Sequence, residues 1–180
     1  MTVEELILSC GAYLEGDFVL KDGSRSCCFV DLGRLTGTAL LHLAKVMVWR
    51  LCLLSPIADV LVAPPYKAIP LAAVMSALSG IPFDFYRKEV KPHGEGGDWV
   101  TKALRSGMTS VIVDDVFTSG TAKREAICRV RQIGAVVLGI LVVVDRSESE
   151  IPTNIDGVPV WSLTTLKKIK KAYHDSGAAL

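Results

Sequence analysis

Val111-Ile112-Val113-Asp114-Asp115-Val116-Phe117-Thr118-Ser119-Gly120-Thr121 is the stretch on which the reading of this chain turns. A β-branched run, Ser110 to Val113, predicts a strand ending in two acids. A turn of small residues follows, and Thr121 to Ile133 predicts a helix closed by Gly134. A strand, a tight turn and a helix N-terminus aim the backbone N–H groups of Thr118 to Thr121 at one point. The partial positive charge of the helix end adds to them, and the result is an anion site. The hydroxyls of Thr118, Ser119 and Thr121 supply further donors. Two carboxylates beside a phosphate site are paradoxical unless the ligand also carries hydroxyls and develops positive charge. A ribose 5-phosphate does both. Its 2- and 3-hydroxyls donate to Asp114 and Asp115, and its ring becomes cationic when the group on C1 departs.

The pattern repeats on either side. Thr2-Val3-Glu4-Glu5 predicts a capping box opening a short helix. Phe18 to Leu20 and Cys28 to Asp31 predict a hairpin turning at Asp22-Gly23. Apolar spacing predicts a helix from Thr38 to Leu54, a strand from Asp59 to Ala63 and a helix from Ile69 to Ser79 stopped by Gly80 and Pro82. Strands are expected at Phe83 to Tyr86, Val136 to Val144 and Val158 to Ser162, with a last helix around Thr165 to Tyr173. Continuous apolar strands alternating with helices predict a parallel sheet covered on both faces. Ligands of such sheets sit beyond the C-terminal strand ends, so the informative loops follow Val62, Tyr86, Val113 and Val144. The chain, at 180 residues, is expected to form one domain over residues 1–180.

Composition narrows the classes. Apolar residues are 50% and charged ones 22%, which excludes a disordered chain, and a net charge of +1 gives no general reason for a nucleic-acid or membrane partner. The nine-residue run Val136 to Val144 is short of the roughly 20 residues a spanning helix needs, and the run near Val46 is interrupted by Lys45 and Arg50. With acids near the N-terminus instead of a basic leader, a cytoplasmic location is expected. Five cysteines without a CxxC pair exclude a disulfide framework or a zinc site, and Cys27 and Cys28 read as small strand residues. No Walker A pattern is present, and Gly94-Glu95-Gly96-Gly97 is only part of a dinucleotide fingerprint. Arg87 to Gly97 is charged and glycine-rich, as expected of a segment that closes over a ligand.

The strand, acid pair and Thr-Ser-Gly-Thr turn resemble the phosphoribosyl diphosphate (PRPP) motif of type I phosphoribosyltransferases. Four more segments resemble the orotate branch of that family. They are Gly16 to Gly23, its N-terminal hairpin; Ala63-Pro64-Pro65-Tyr66-Lys67-Ala68-Ile69-Pro70, its pyrophosphate loop; Arg87 to Gly97, its flexible catalytic loop; and Asp145-Arg146-Ser147-Glu148, after the last long strand. The resemblance spans nearly the whole chain. It implies a central, mostly parallel sheet flanked by helices, with a small N-terminal hood and a flexible catalytic loop. The implied reaction moves the phosphoribosyl group of PRPP to orotate, giving orotidine 5'-monophosphate and pyrophosphate for pyrimidine synthesis.

The resemblance also implies residue roles. Lys88, Lys91, His93, Asp114 and Asp115 are the expected catalytic groups. PRPP is expected to meet these together with Lys21, Tyr66, Lys67, Arg87, Val116, Phe117, Thr118, Ser119, Gly120, Thr121 and Ala122. Orotate is expected against Phe29, Val30, Thr118 and Arg146, the arginine holding its carboxylate. Mg2+ is implied as the cofactor, held mainly through PRPP, and no side chain is assigned to it. A homodimer is implied, with Arg87 to His93 reaching the neighbouring site. Some positions depart from the family pattern. Ala63 and Ala68 replace glycines, Pro65 removes an N–H from the pyrophosphate loop, Cys27-Cys28 replaces Pro-Tyr, Val30 replaces a phenylalanine and Asp31 an asparagine. These bear on pocket shape and affinity more than on reaction class. Two other readings stay open, a phosphoribosyltransferase for another base and a PRPP-sensing regulator. The basic cluster Lys167, Lys168, Lys170 and Lys171, read as a solvated helix face, gives the regulator little support.

Overall fold

The computed structural model describes residues 1–19, 23–54, 58–89, 98–147 and 154–177. The elements run α1 (Val3–Ser9), β1 (Tyr13–Val19), β2 (Arg25–Val30), α2 (Gly37–Leu54), β3 (Val60–Ala63), α3 (Ala68–Ser79) and β4 (Phe83–Phe85). They continue with β5 (Thr109–Phe117), α4 (Thr121–Gln132), β6 (Val136–Asp145), β7 (Asn154–Ile155), β8 (Val158–Thr165) and α5 (Leu166–Asp175). The main sheet has the order β4-β3-β5-β6-β8-β7 and is parallel throughout except for β7, which pairs antiparallel with β8.

Strand alternation explains why both faces are covered. Leu61, Val111, Val113, Leu141 and Val143 point to one side, into a core shared with Leu43 and Met47 of α2, Leu71 and Met75 of α3 and Ile169 of α5. Their neighbours Val60, Val62, Ile112, Ile140 and Val142 point to the other side, against Ala126, Ile127 and Val130 of α4. A fully buried side chain of this kind contributes about 1.5–3 kcal/mol, so the two layers together hold the strands in register. The hairpin β1–β2 forms a separate two-stranded sheet, the expected hood. It is tied down by a tilted Tyr13–Tyr173 ring pair with centroids 5.0 Å apart and by the Asp31 N–H donating to Ala12 O at 2.8 Å. The expected capping box at Thr2 and Glu5 is formed, and Glu4 accepts from Thr164 across α1 and β8.

Three differences from the sequence expectations have physical causes. First, β5 does not stop before the acids. It continues through Asp114 and Asp115 to Phe117 because β6 offers a matching partner, with Asp114 opposite Val142 and Val116 opposite Val144. Second, the short strand β7 had no periodic signal of its own; two residues are too few to show a period. Third, α2 is, by length and composition, apolar enough to cross a membrane, despite Lys45 and Arg50. Its face Leu43, Ala44, Met47 and Leu51 packs in the core, while Leu41, Trp49 and Leu53 are exposed. The hairpin turn expected at Asp22-Gly23 lies partly outside the described residues, which resume at Gly23 with φ +81°.

Candidate active site

At the C-terminal end of β5 the two acids have different surroundings. Asp114 is 7% exposed, and both carboxylate oxygens are engaged. Oδ1 accepts from the Asp115 N–H at 2.8 Å, and Oδ2 meets the ammonium of Lys123, itself buried, at 2.5 Å. That ammonium also donates to the Val116 carbonyl at 2.5 Å. Removing one member of such a buried pair strands the other charge, at a cost of about 3–5 kcal/mol. Asp115 accepts the Val116 N–H on Oδ1 at 2.7 Å. Burial, then the neighbouring charge of Asp114, raises its carboxyl from the ordinary value to about 6.

The turn that follows is Thr118 to Gly120, exposed at Thr118 and Ser119. Ser119 Oγ lies 3.2 Å from Thr121 Oγ1. Gly120 occupies the left-handed region at φ +80°, and a Cβ there would stand 2.8 Å from Ile155 Cδ1. So β7, the strand without a sequence signal, packs against the turn and explains why glycine is needed there.

Contacts between loops close a ring around the strand ends. After β3, Lys67 pairs with Asp31 at 2.8 Å and its ammonium lies 5.8 Å from the Phe29 ring centroid. That pairing, chiefly the hydrogen bond from Lys67, lowers the Asp31 carboxyl below its usual range. After β4, the Lys88 ammonium lies 5.3 Å from the Tyr66 ring centroid, which joins the start of the charged loop to the β3–α3 loop. After β6, the Arg146 guanidinium donates to Ser26 Oγ at 3.4 Å, and its backbone N–H donates to Phe117 O at 2.9 Å. The β2 arm of the hairpin thereby faces the strand ends.

The stems of the charged loop are zipped together. Arg87 N–H donates to Asp98 O at 2.9 Å and Val100 N–H to Phe85 O at 3.0 Å, with Tyr86 bridged to Trp99. Arg129 of α4 clamps this base, pairing with Asp98 at 2.7 Å while its guanidinium lies 4.5 Å from the Tyr86 ring centroid. Asp84, fully buried, accepts the N–H groups of Phe85, Thr101 and Leu104 at 2.8–3.1 Å and holds the returning chain.

The structure thus brings Phe29, Tyr66, Lys67, Arg87, Lys88, Asp114, Asp115, Thr118, Ser119, Gly120, Thr121, Ala122 and Arg146 to one end of the sheet. Lys21, Lys91 and His93 lie outside the described residues. Two expectations need correction. Val30 alternates with Phe29 on β2 and buries its side chain in the core at 4% exposed, which leaves Phe29 as the available ring. Phe117 is likewise a core side chain, so what it offers near the turn is its backbone. Val116 is half-buried, with its carbonyl held by Lys123. The sequence reading missed Lys123, Arg129, Asp98, Ser26 and the pairing role of Asp31. Only Lys123 left a signal. It shares a helical face with Ala126, Ile127 and Val130, and a lysine on a buried stripe must have an acidic partner.

Comparison with known proteins agrees with this geometry. A phosphoribosyl transferase domain profile matches residues 43–173. The orotate phosphoribosyltransferase of Acinetobacter baumannii is 39% identical over 181 aligned positions, covering 92% of this chain and 82% of that protein. Among solved structures, the orotate phosphoribosyltransferase of Aeropyrum pernix superposes with a TM-score of 0.74 at 27% identity, covering 99% of this chain and all of that one. The Francisella tularensis enzyme of the same name gives 0.73 at 27% identity over 95% of this chain and 89% of its own. A matching profile over most of the chain, close relatives of one kind and a shared fold leave one assignment: the chain belongs to the phosphoribosyltransferase family, in its orotate phosphoribosyltransferase branch.

Proposed function

We infer that this protein transfers the phosphoribosyl group of PRPP to orotate, releasing pyrophosphate and forming orotidine 5'-monophosphate on the route to pyrimidine nucleotides. The observation that carries the reading is the β5–α4 corner. There a half-buried carboxylate, Asp115, stands at the mouth of a turn suited to an anion, with the cations Lys67 and Lys88 on neighbouring loops and Arg146 against Ser26 of β2. In this reading the 5-phosphate sits in the turn Thr118 to Thr121, with Ala122 behind it, and the ribose hydroxyls donate to Asp114 and Asp115. The diphosphate lies toward Tyr66, Lys67, Arg87 and Lys88, and Lys21, Lys91 and His93 add to it. Orotate rests against Phe29, with its carboxylate on Arg146.

The C1–diphosphate bond breaks as N1 of orotate attacks from the opposite face. Carboxylate charge stabilises the oxocarbenium-like ring in between. The basic loop neutralises the departing diphosphate and supplies its proton, and loop closure keeps water from the cationic centre. Mg2+ belongs to the proposal as a charge-neutralising partner of the diphosphate. The donor set fits a cation carried by the ligand. Among the described residues no group of three or more His, Cys, Asp or Glu gathers, and Asp114 is committed to Lys123. The exposed Trp49 and Leu53 on α2 support a homodimer as an apolar surface for a second copy. Residues 1–180 act as one domain, and the site of action is the cytoplasm.

The test mixes purified protein, PRPP, Mg2+ and orotate, and follows loss of orotate absorbance with pyrophosphate release. Stoichiometric loss that needs all components is the expected result. PRPP binding without orotate turnover would shift the reading to another base.

A further inference from the structure

We propose that Lys123 is a positioning residue of the phosphoribosyl site. Its buried ammonium fixes the Asp114 carboxylate and the Val116 carbonyl together, so that the acid pair faces the ribose in one orientation with a single net negative charge and the β5–α4 turn keeps the shape that receives the phosphate. The inference rests on the PRPP reading above. It starts from an anomaly in the packing. A lysine 5% exposed sits on the apolar face of α4, where Ala126, Ile127 and Val130 meet the sheet. Burying an ammonium is costly, and among the described residues this one meets the Asp114 carboxylate and the Val116 carbonyl at the strand end.

Those two contacts divide the work of the acids. Asp114 has one oxygen on the Asp115 amide and the other on Lys123, which fixes the orientation of its carboxylate and leaves each oxygen one further acceptor site. Asp115 accepts one amide on Oδ1 and is half-buried at the site mouth. Two carboxylates and one ammonium leave a single net negative charge. One such charge is enough to favour a cationic ribose, and it repels phosphate less than two would. The second contact is mechanical. Lys123 reaches back seven residues to the Val116 carbonyl, so one side chain spans the whole turn Thr118 to Gly120 and ties its entry to its exit.

Other charged groups around the pair come from every neighbouring element. Tyr86 closes the end of β4, and Glu125 and Arg129 follow on α4. The loop after β3 carries Tyr66 and Lys67, and the end of β6 carries Asp145 and Arg146. Burial and the Asp114 charge raise the Asp115 carboxyl while Lys123 lowers it, so loss of Lys123 moves its titration upward.

The experiment compares wild-type protein with Lys123→Met, Lys123→Gln and Lys123→Arg. It measures the PRPP binding constant by calorimetry, KM and kcat with orotate, and kcat/KM against pH. Lys123→Met is expected to weaken PRPP binding by about tenfold or more, to change kcat less than KM, and to shift the acid limb of kcat/KM to higher pH, since a charge-assisted contact of this kind is typically worth a factor of ten or more. Lys123→Arg keeps the charge and is expected to restore the limb. If the Met variant does not fold, Lys123→Gln is read in its place, because it keeps a polar donor in the same position of α4 but carries no charge. A folded Met or Gln variant with unchanged PRPP binding and an unmoved limb overturns the assignment. So does Arg behaving no better than Met, which marks a purely structural lysine. Wild-type protein that binds no PRPP would defeat the functional reading and this one with it, whereas intact wild-type binding with indifferent variants defeats this one alone.

Discussion

The two ends of the candidate site are built on opposite plans. The phosphoribosyl end lies on a strand and a helix, with Asp114 and Lys123 sealed against each other and Gly120 pressed on Ile155. The diphosphate and orotate end is made of side chains on loops. Lys67 is 55% exposed in its pair with Asp31, Tyr66 is 61% exposed, and Arg146 reaches Ser26 through one long bond of 3.4 Å. The first end is organised before any ligand arrives. In the proposed function the second exchanges its present partners for ligand atoms. Of the departures from the family pattern, Pro65 and Asp31 lie in loops of the second end, Ala68 opens α3 and Val30 is a core side chain of β2, whereas the strand-and-helix end keeps the acid pair and the Thr-Ser-Gly-Thr turn intact.

Substitutions at the two ends sharpen this contrast. The largest loss is expected from Asp115→Asn, about a hundredfold or more in kcat/KM, because it removes the charge facing the developing cation. Thermal stability should be unchanged or higher, since a buried charge has been deleted. Circular dichroism melting beside steady-state kinetics checks both; a variant that melts early would mean that Asp115 supports the fold instead. Next comes Arg146→Ala. It should raise KM for orotate by about ten- to a hundredfold, the value of a charge-assisted pair. PRPP binding by calorimetry should stay near wild type, and weakened PRPP binding would mean that the two ends are not separable.

Asp84→Ala tests how the loop-built end is anchored. It leaves three backbone N–H groups without their carboxylate acceptor and should cost about 3 kcal/mol of unfolding free energy by denaturant titration. A loss below 1 kcal/mol would show that the loop base holds without it. The pH dependence follows from Asp115, whose carboxyl sits at about 6 in the folded protein. The folded state keeps a proton there that the unfolded chain gives up near the ordinary value of 3.8, so ionisation on going from that pH to about 6 costs stability. Activity runs the other way. It needs the carboxylate, and kcat/KM should fall as pH drops below about 6. An acid limb near the ordinary carboxyl value would remove Asp115 from that role. The smallest effect is expected at Asp17→Asn. Its pair with Arg25 is exposed on both sides and worth less than about 0.5 kcal/mol.

Much of the molecule was legible in its residues. Helix and strand identities followed from period and punctuation, as with α3, which ends at Gly80 in the left-handed conformation. The acid pair and its turn stood out because a strand, small residues and a helix start are contiguous, and local geometry needs only neighbours in sequence. The resemblance then led to Tyr66, Lys67 and Arg146, which chemistry alone left as surface cations or aromatics. What stayed hidden depends on contacts between residues far apart in the chain. The pairing of Lys67 with Asp31 spans 36 positions and that of Arg129 with Asp98 spans 31, and no periodicity encodes either. The extent of β5 was hidden for the same reason, since a strand runs as far as its neighbour pairs with it.

By itself, then, the sequence determined the α/β alternation, the strand–turn–helix corner with its acid pair and the cations of the neighbouring loops, because each is a property of short stretches of chain. Only the tertiary structure decided which of the two acids pairs with a lysine, which of Phe29 and Val30 enters the core and which lysine is buried to compensate charge. Those outcomes depend on burial and on partners brought together by the packing of α4, β5, β6 and the N-terminal hairpin.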